Sequence, residues 1–238
     1  MHSSSLRRVA ALMVLGAALG ACSRGPTPQQ QAAQHKAATE AQASKVLDSY
    51  HQMIKMDSYS LAVPLGEEIL SKYPGTKAAA VVKANLDQIR AKAQAKAAAL
   101  RLKRLWVYQV APMGGGTQST AAIQVSKPPA LDMRLILRRH TQWGLSVFLY
   151  AEGSNGFICK GRCSVPVQFD EHKMHFKAYV PQGGRPALMF NHEKAFIAQL
   201  QKAKVLRIKV RMKGQGERDL MFEVGGFDPS SWKPLPGK

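Results

Sequence analysis

Acidic residues are scarce in this chain: 15 Asp and Glu face 34 Lys and Arg in 238 residues, a formal net charge of +19. With so few acids, no carboxylate pair of the kind that cleaves glycosidic bonds can be picked out. Cysteine is scarcer still, at three, too few for a cysteine-based zinc site without two further ligands at suitable spacing. No Gly-x-Ser-x-Gly nucleophile turn is present. Gly114-Gly115-Gly116 lacks the Lys-Ser/Thr of a phosphate loop and reads as a turn. No catalytic, metal or cofactor site is expected. What remains is a hydrophobic content of 45%, enough for a real core, and a length that suits one large or two small domains. The excess of positive charge favours anionic partners, and the compartment must decide which.

The first residues bear on compartment. Arg7 and Arg8 precede an apolar run from Val9 to Leu19, shorter than the roughly 20 residues that span a bilayer but suited to a secretory signal core. The run ends in Leu19-Gly20-Ala21-Cys22, where Leu19 fits ordinary signal cleavage poorly. These four residues resemble the lipobox of bacterial lipoproteins. The resemblance implies a diacylglyceryl group on the Cys22 thiol, cleavage before Cys22 and acylation of the new amino terminus. Three acyl chains anchor durably where one does not. The alternative is a plain signal peptide with an incidental cysteine. Ser23, rather than Asp, follows the cysteine, which in the enterobacterial sorting rule implies the outer membrane, facing the periplasm. With that address nucleic acid is not an expected partner. The expected partners are the bilayer, anionic lipid, lipopolysaccharide or an acidic envelope protein.

The organisation reads as a signal peptide over 1–21, a flexible tether over 22–40, a helical region over 41–104, a β-rich domain over 105–228 and a tail over 229–238. The tether is rich in Gln, Ala, Pro and Thr and has almost no large apolar residue. In the helical region, Leu47, Tyr50 and Ile54 mark one apolar stripe, Leu61, Leu65 and Ile69 a second, and Val82, Leu86, Ile89 and Ala93 a third. Asp57-Ser58 and Tyr73-Pro74-Gly75 separate the helices, Pro64 leaves the first turn of the second helix in doubt, and Thr76 is a suitable N-cap for the third. Tyr59, Ala62, Leu65, Ile69, Leu70 and Tyr73-Pro74-Gly75-Thr76, with Ala79 and Leu86, resemble a tetratricopeptide-type repeat. At most one repeat and a half is present, so the region is expected to form a helical hairpin; a generic antiparallel helix pair is the alternative.

After Leu105 the apolar period becomes two. Strands are expected at 105–110, 120–125, 133–138, 145–151, 156–159, 163–169, 174–180, 206–212 and 220–224, separated by Gly- and Pro-rich turns that include Gly153–Asn155 and Gly183–Pro186. One helix, capped by Asn191 and carrying Phe196, Ile197 and Leu200, interrupts them. The fold class is therefore α+β: an N-terminal, partly tetratricopeptide-like helical hairpin, then an antiparallel β-sandwich with one inserted helix.

Three groups of residues invite a functional reading. Cys159 and Cys163 form an even pair once Cys22 carries lipid, and an oxidising compartment favours a structural disulfide across a short hairpin. Redox and zinc roles fit that spacing less well. Asp170, Glu171, His172 and His175 suggest a metal, but positions 172 and 175 of one strand point to opposite faces, and Lys173 and Lys177 are neighbours. His140 and His192 look equally unspecific. Finally, Arg207, Lys209, Arg211 and Lys213 alternate with apolar residues, and Arg134 and Arg138 repeat the pattern. Such rows serve solubility and guard a sheet edge, or they face an anion.

Leu135-Ile136-Leu137-Arg138, Phe157-Ile158-Cys159 through Cys163-Ser164-Val165, Val167-Gln168-Phe169-Asp170, Leu188-Met189-Phe190, Ala203-Lys204-Val205-Leu206-Arg207-Ile208 and Phe222-Glu223-Val224-Gly225-Gly226-Phe227 occur in an order that resembles an uncharacterised β-rich domain. That domain stands at the C-terminus of proteobacterial envelope proteins. The resemblance implies no enzymatic activity. The chain is expected to be a non-catalytic lipoprotein that binds or scaffolds envelope components. A cell-wall hydrolase and an assembly factor of a secretion or cell-wall machine are the alternatives.

Overall fold

Thr27 and Pro28 start the first helix. The computed structural model describes residues 25–129, 131–153, 156–183 and 185–235. Cys22, the segment before it, Ser23, residues Ser154, Asn155 and Gly184 of the expected turns, and the end of the tail lie outside the described residues. Helix α1 spans Pro28–Lys55. The Thr27 hydroxyl accepts from the Gln30 amide at 3.3 Å while the Gln30 side chain accepts from the Thr27 amide at 2.9 Å, a reciprocal capping box. Pro28 occupies the first turn, where its missing N–H costs nothing. This corrects the tether expected over 22–40. Gln and Ala form helices well without burying anything, and residues 28–38 are helical yet exposed.

Asp57, at φ 53°, breaks the chain before α2 (Tyr59–Lys72), and α3 runs over Lys77–Arg104. Pro64 lies inside α2. The buried face of α2 is Ala62, Gly66 and Ile69, whereas Leu61 of the expected stripe is 58% exposed. Close approach decides this. A Cβ on Gly66 would stand 2.9 Å from Leu86 and 3.1 Å from Tyr50 and Val82, so small residues let the helices pack where leucine would hold them apart. The Tyr50 hydroxyl donates to Asn85 at 2.6 Å. Thr76 caps α3, accepting from the Ala79 amide at 3.2 Å.

The chain divides into two units. The helical one comprises residues through Asp57 and Leu61–Leu86; the other comprises Ser58–Ser60 and everything from Asp87. The second unit holds β1 (Trp106–Met113), β2 (Gly116–Gln124), β3 (Met133–His140), β4 (Gly144–Ala151), β5 (Arg162–Phe169), β6 (His172–Tyr179), β7 (Ala187–Phe190), α4 (Glu193–Leu200), β8 (Leu206–Met212) and β9 (Gly216–Phe222). The protein is thus α+β, with four helices and nine strands among the described residues. All nine strands join one antiparallel sheet in the order β1-β2-β3-β4-β7-β6-β5-β8-β9, where the alternation suggested two facing sheets. Lys127, beyond β2, bridges Met221 of β9, so the sheet curls until its far edge meets the continuation of β2. Alternation along a strand fixes which side is buried, not whether hydrogen bonding continues around a bend.

One side of every strand feeds a single core that includes Leu135, Leu137, Val147, Leu149, Ile208 and Phe222, with Phe196 and Leu200 of α4. Strand β7 was not anticipated: with four residues it is too short to show a period. The N-cap of α4 is His192, in the left-handed conformation at φ 62° and without a side-chain capping bond, in place of Asn191. The tail expected over 229–238 is in part core, because Trp232 is 2% exposed.

Cys159 and Cys163 are disulfide-bonded, with Cα atoms 5.5 Å apart. They do not close the expected hairpin. Strand β5 pairs with β8 only over Val167–Phe169, and residues 156–158 take the place beside β8 that the start of β5 leaves. There the Ile158 amide donates to the Arg211 carbonyl at 2.8 Å, and the Lys213 amide donates to the Gly156 carbonyl at 3.0 Å. The disulfide holds these two alternative neighbours of β8 together. Replacing both cysteines with serine is expected to lower stability by about 2 kcal/mol, the loop-entropy value for so short a ring. Denaturant unfolding of the wild type with and without reductant checks this.

Candidate functional site

On the side of the sheet away from the core, strands β1, β2, β3, β4, β7 and β6 line a groove of about 920 Å³. Strand register builds it in rows. Val107 lies opposite Ala122, Ala122 opposite Ile136, Ile136 opposite Phe148, Phe148 opposite Met189, and Met189 opposite Tyr179. Six strands thus lay one apolar strip across their own direction. Strands are about 4.8 Å apart, so the strip extends for roughly 24 Å.

A polar row flanks the strip on each side. On one side Gln109, Thr120, Arg138 and Ser146 are successive partners; on the other, Gln124, Arg134 and Tyr150. The two arginines differ in their circumstances. Arg134 is ion-paired with Glu152 and lies against the Tyr150 ring. Arg138 has no carboxylate partner among the described residues. Its guanidinium stands 5.1 Å from the centroids of both Trp143 and Phe148 and donates to the Ser146 hydroxyl at 3.2 Å. Its Nε is buried with no acceptor among the described residues. Burial first, and then the nearby positive charge of Arg185, push the Arg138 pKa down. Arg185 lines the groove from the β6–β7 connection.

Two hairpins shape the wall beside Arg138. The β1–β2 turn is Gly114-Gly115, both at positive φ (55° and 79°), the conformation a two-residue hairpin requires. It packs on Trp143, which a Cβ on Gly114 would approach to 2.5 Å. Trp143 in turn stacks on buried His140 at 3.8 Å. The His140 Nδ1 accepts from the Gln142 and Trp143 amides, at 3.1 and 3.2 Å, which leaves Nε2–H to donate to the Met113 carbonyl at 2.8 Å. His140 is therefore a structural joint between hairpins.

The other expected positions are placed as follows. Arg207, Lys209, Arg211 and Lys213 are exposed, on or beside β8 and outside the groove. Lys209 lies 3.9 Å from Asp219 and Arg211 3.2 Å from Glu217, surface pairs of little energetic weight. Arg134 and Arg138 are not brought together with them. Asp170, at φ 48°, accepts from the Lys204 and Val205 amides at 2.8–3.1 Å, so its carboxylate orients the entry to β8. His172 and His175 are exposed, and no metal-binding cluster occurs among the described residues. The site that a hydrolase would need at these residues is not assembled.

The apolar strip and Arg185 were not picked out from sequence, although a signal was present. Strand β4, Gly144–Ala151, is apolar on both sides of its alternation, a pattern of strands covered on both faces; Phe148 and Tyr150 are the groove-facing half. Among the described residues, no helix is long and apolar enough to cross a membrane. No protein-family model matches the chain, and no curated protein does. Among solved structures, the chain is similar to invasion associated protein B from Bartonella henselae, at 20% identity and a TM-score of 0.35, over 52% of this chain and 85% of that one.

Proposed function

We propose that this chain is an envelope lipoprotein, anchored through Cys22 to the outer membrane, with a non-catalytic binding module that faces the periplasm. The observation that carries the binding role is the groove. Its lining is aliphatic, aromatic, amide and guanidinium, and no carboxylate is among the described residues that line it. Apolar walls with a few fixed polar groups are the usual composition of a ligand site. The anchor rests on the Leu19-Gly20-Ala21-Cys22 motif, and the disulfide fits an oxidising compartment. The exposed row at Arg207, Lys209 and Arg211 adds a general attraction to anionic surfaces, weakened by salt. The helical region, read as tetratricopeptide-like, offers a further surface for envelope components.

Two measurements test this reading in cells. Cys22→Ala is expected to abolish incorporation of a palmitate analogue and to release the protein from the membrane fraction. A photo-crosslinking residue in place of Thr120, on the groove, is expected to capture an envelope component, while one in place of exposed Lys194 on α4 is not. Membrane retention of Cys22→Ala would remove the anchor, and equal capture at the two positions, or none, would remove the groove as the binding surface.

A further inference from the structure

We infer that the groove binds a single-chain anionic amphiphile, its acyl chain lying on the apolar strip and its carboxylate or phosphate head beside the strip at Arg138. This deepens the binding role just proposed and rests on it. Three independent features of the groove specify the two parts of such a ligand.

The strip specifies the tail. It crosses the strands instead of running along one, so a ligand lying in it meets side chains from six strands. A peptide strand would need free N–H and C=O groups beside it; the floor here is side chains over a fully paired ladder. Val107 is 62% exposed and Tyr179 39%, so apolar surface remains to be covered at both ends. An extended hydrocarbon makes no hydrogen bonds and asks for none, which matches Ile136, Phe148 and Met189.

The flanking rows specify where the head goes. Arg134 is neutralised by Glu152, but Arg138 and Arg185 have no such partner among the described residues. Arg185 also lines the groove, and its positive charge adds to the attraction for an anion at Arg138. Trp143 and Phe148 hold the guanidinium plane, and a planar fork held in place suits two-point contact with a carboxylate or phosphate. A cationic head would be repelled by Arg138, and no carboxylate among the described groove-lining residues offsets that.

The test is calorimetric titration of the full chain carrying Cys22→Ala, so that no acyl group of its own competes. The probes, each below its micelle concentration, are decyl phosphate, decanoate, decyltrimethylammonium and inorganic phosphate. Both anionic amphiphiles are expected to bind. Inorganic phosphate is expected to bind more than about a hundredfold more weakly, since buried methylenes supply most of the affinity. Decyltrimethylammonium is expected not to bind. Arg138→Met, which keeps the apolar stem, is expected to weaken decyl phosphate at least about tenfold, the worth of a charge-assisted bond. Arg185→Gln, in an exposed connection, tests the head site without touching the sheet and is expected to act in the same direction. Equal binding of the cationic amphiphile, or unchanged affinity in both variants, would overturn the inference. If the Thr120 crosslinker captures a protein while neither anionic amphiphile binds, the amphiphile fails and the groove stands as a binding surface. If neither experiment gives binding, both fall.

Discussion

Phe196→Ala is expected to destabilise the sheet unit by about 3–5 kcal/mol, the usual cost of emptying a buried aromatic site. Phe196 projects from α4 and is fully buried. Its ring centroid lies 5.2 Å from Phe169 of β5, 5.0 Å from Phe176 of β6 and 5.1 Å from Phe190 of β7, tilted or edge-on to each. Edge-to-face pairs add to area burial, and three strands meet at this one side chain. The cavity cannot close easily, because strand register fixes the three facing rings. Chemical denaturation read by tryptophan fluorescence measures the loss, with exposed Lys194→Ala as the neutral control and Phe196→Leu as the intermediate. A loss under about 1 kcal/mol would mean that α4 is not part of this core.

The second large effect is at the other end of the chain. Trp232→Ala is expected to cost a similar 3–5 kcal/mol, although the residue lies in a segment whose composition reads as a tail. The indole Nε1–H donates to the Ser119 carbonyl of β2 at 3.0 Å. The Arg139 guanidinium of β3 stands 3.8 Å from the ring centroid and donates to the Trp232 carbonyl at 2.5 Å. Burial pushes the Arg139 pKa down, so the aromatic face and the carbonyl are what offset desolvation of that cation. Earlier in the segment the Tyr108 hydroxyl accepts from the Asp228 amide at 2.7 Å, and Phe227 packs on Trp106 at 4.9 Å. The segment thus latches across β1, β2 and β3. Trp232→Phe keeps the ring and loses the donor, and is expected to fall between wild type and Trp232→Ala. Stability unchanged in Trp232→Ala would show the latch to be idle.

These two sites mark how far sequence reasoning reached. Phe196 and its helix were legible because Phe196, Ile197 and Leu200 recur on one face. Trp232 was not, because a lone aromatic among Ser, Pro and Lys has no period, and its partners lie about a hundred residues away. The same distinction covers Gly226. Added as a Cβ, its side chain would stand 2.2 Å from the backbone of Leu102 in α3, a close approach that no local pattern announces. The helix starting at Pro28 was hidden for the opposite reason: it is helical by propensity and capping while burying nothing, so no apolar stripe revealed it.

The sequence by itself determined the α+β class, the alternation that buries one side of each long strand, the breaks at Asp57 and Tyr73-Pro74-Gly75, the cap at Thr76 and the pairing of Cys159 with Cys163. These are local properties, set by the period of apolar residues and by neighbours within a few positions. Only the tertiary structure decided that nine strands form one curled sheet, that Arg134 has a carboxylate partner while Arg138 has none among the described residues, and that six residues from six strands line up as one strip. Register across strands and the burial of a charge depend on contacts between residues far apart in the chain, and no pattern along the chain encodes them.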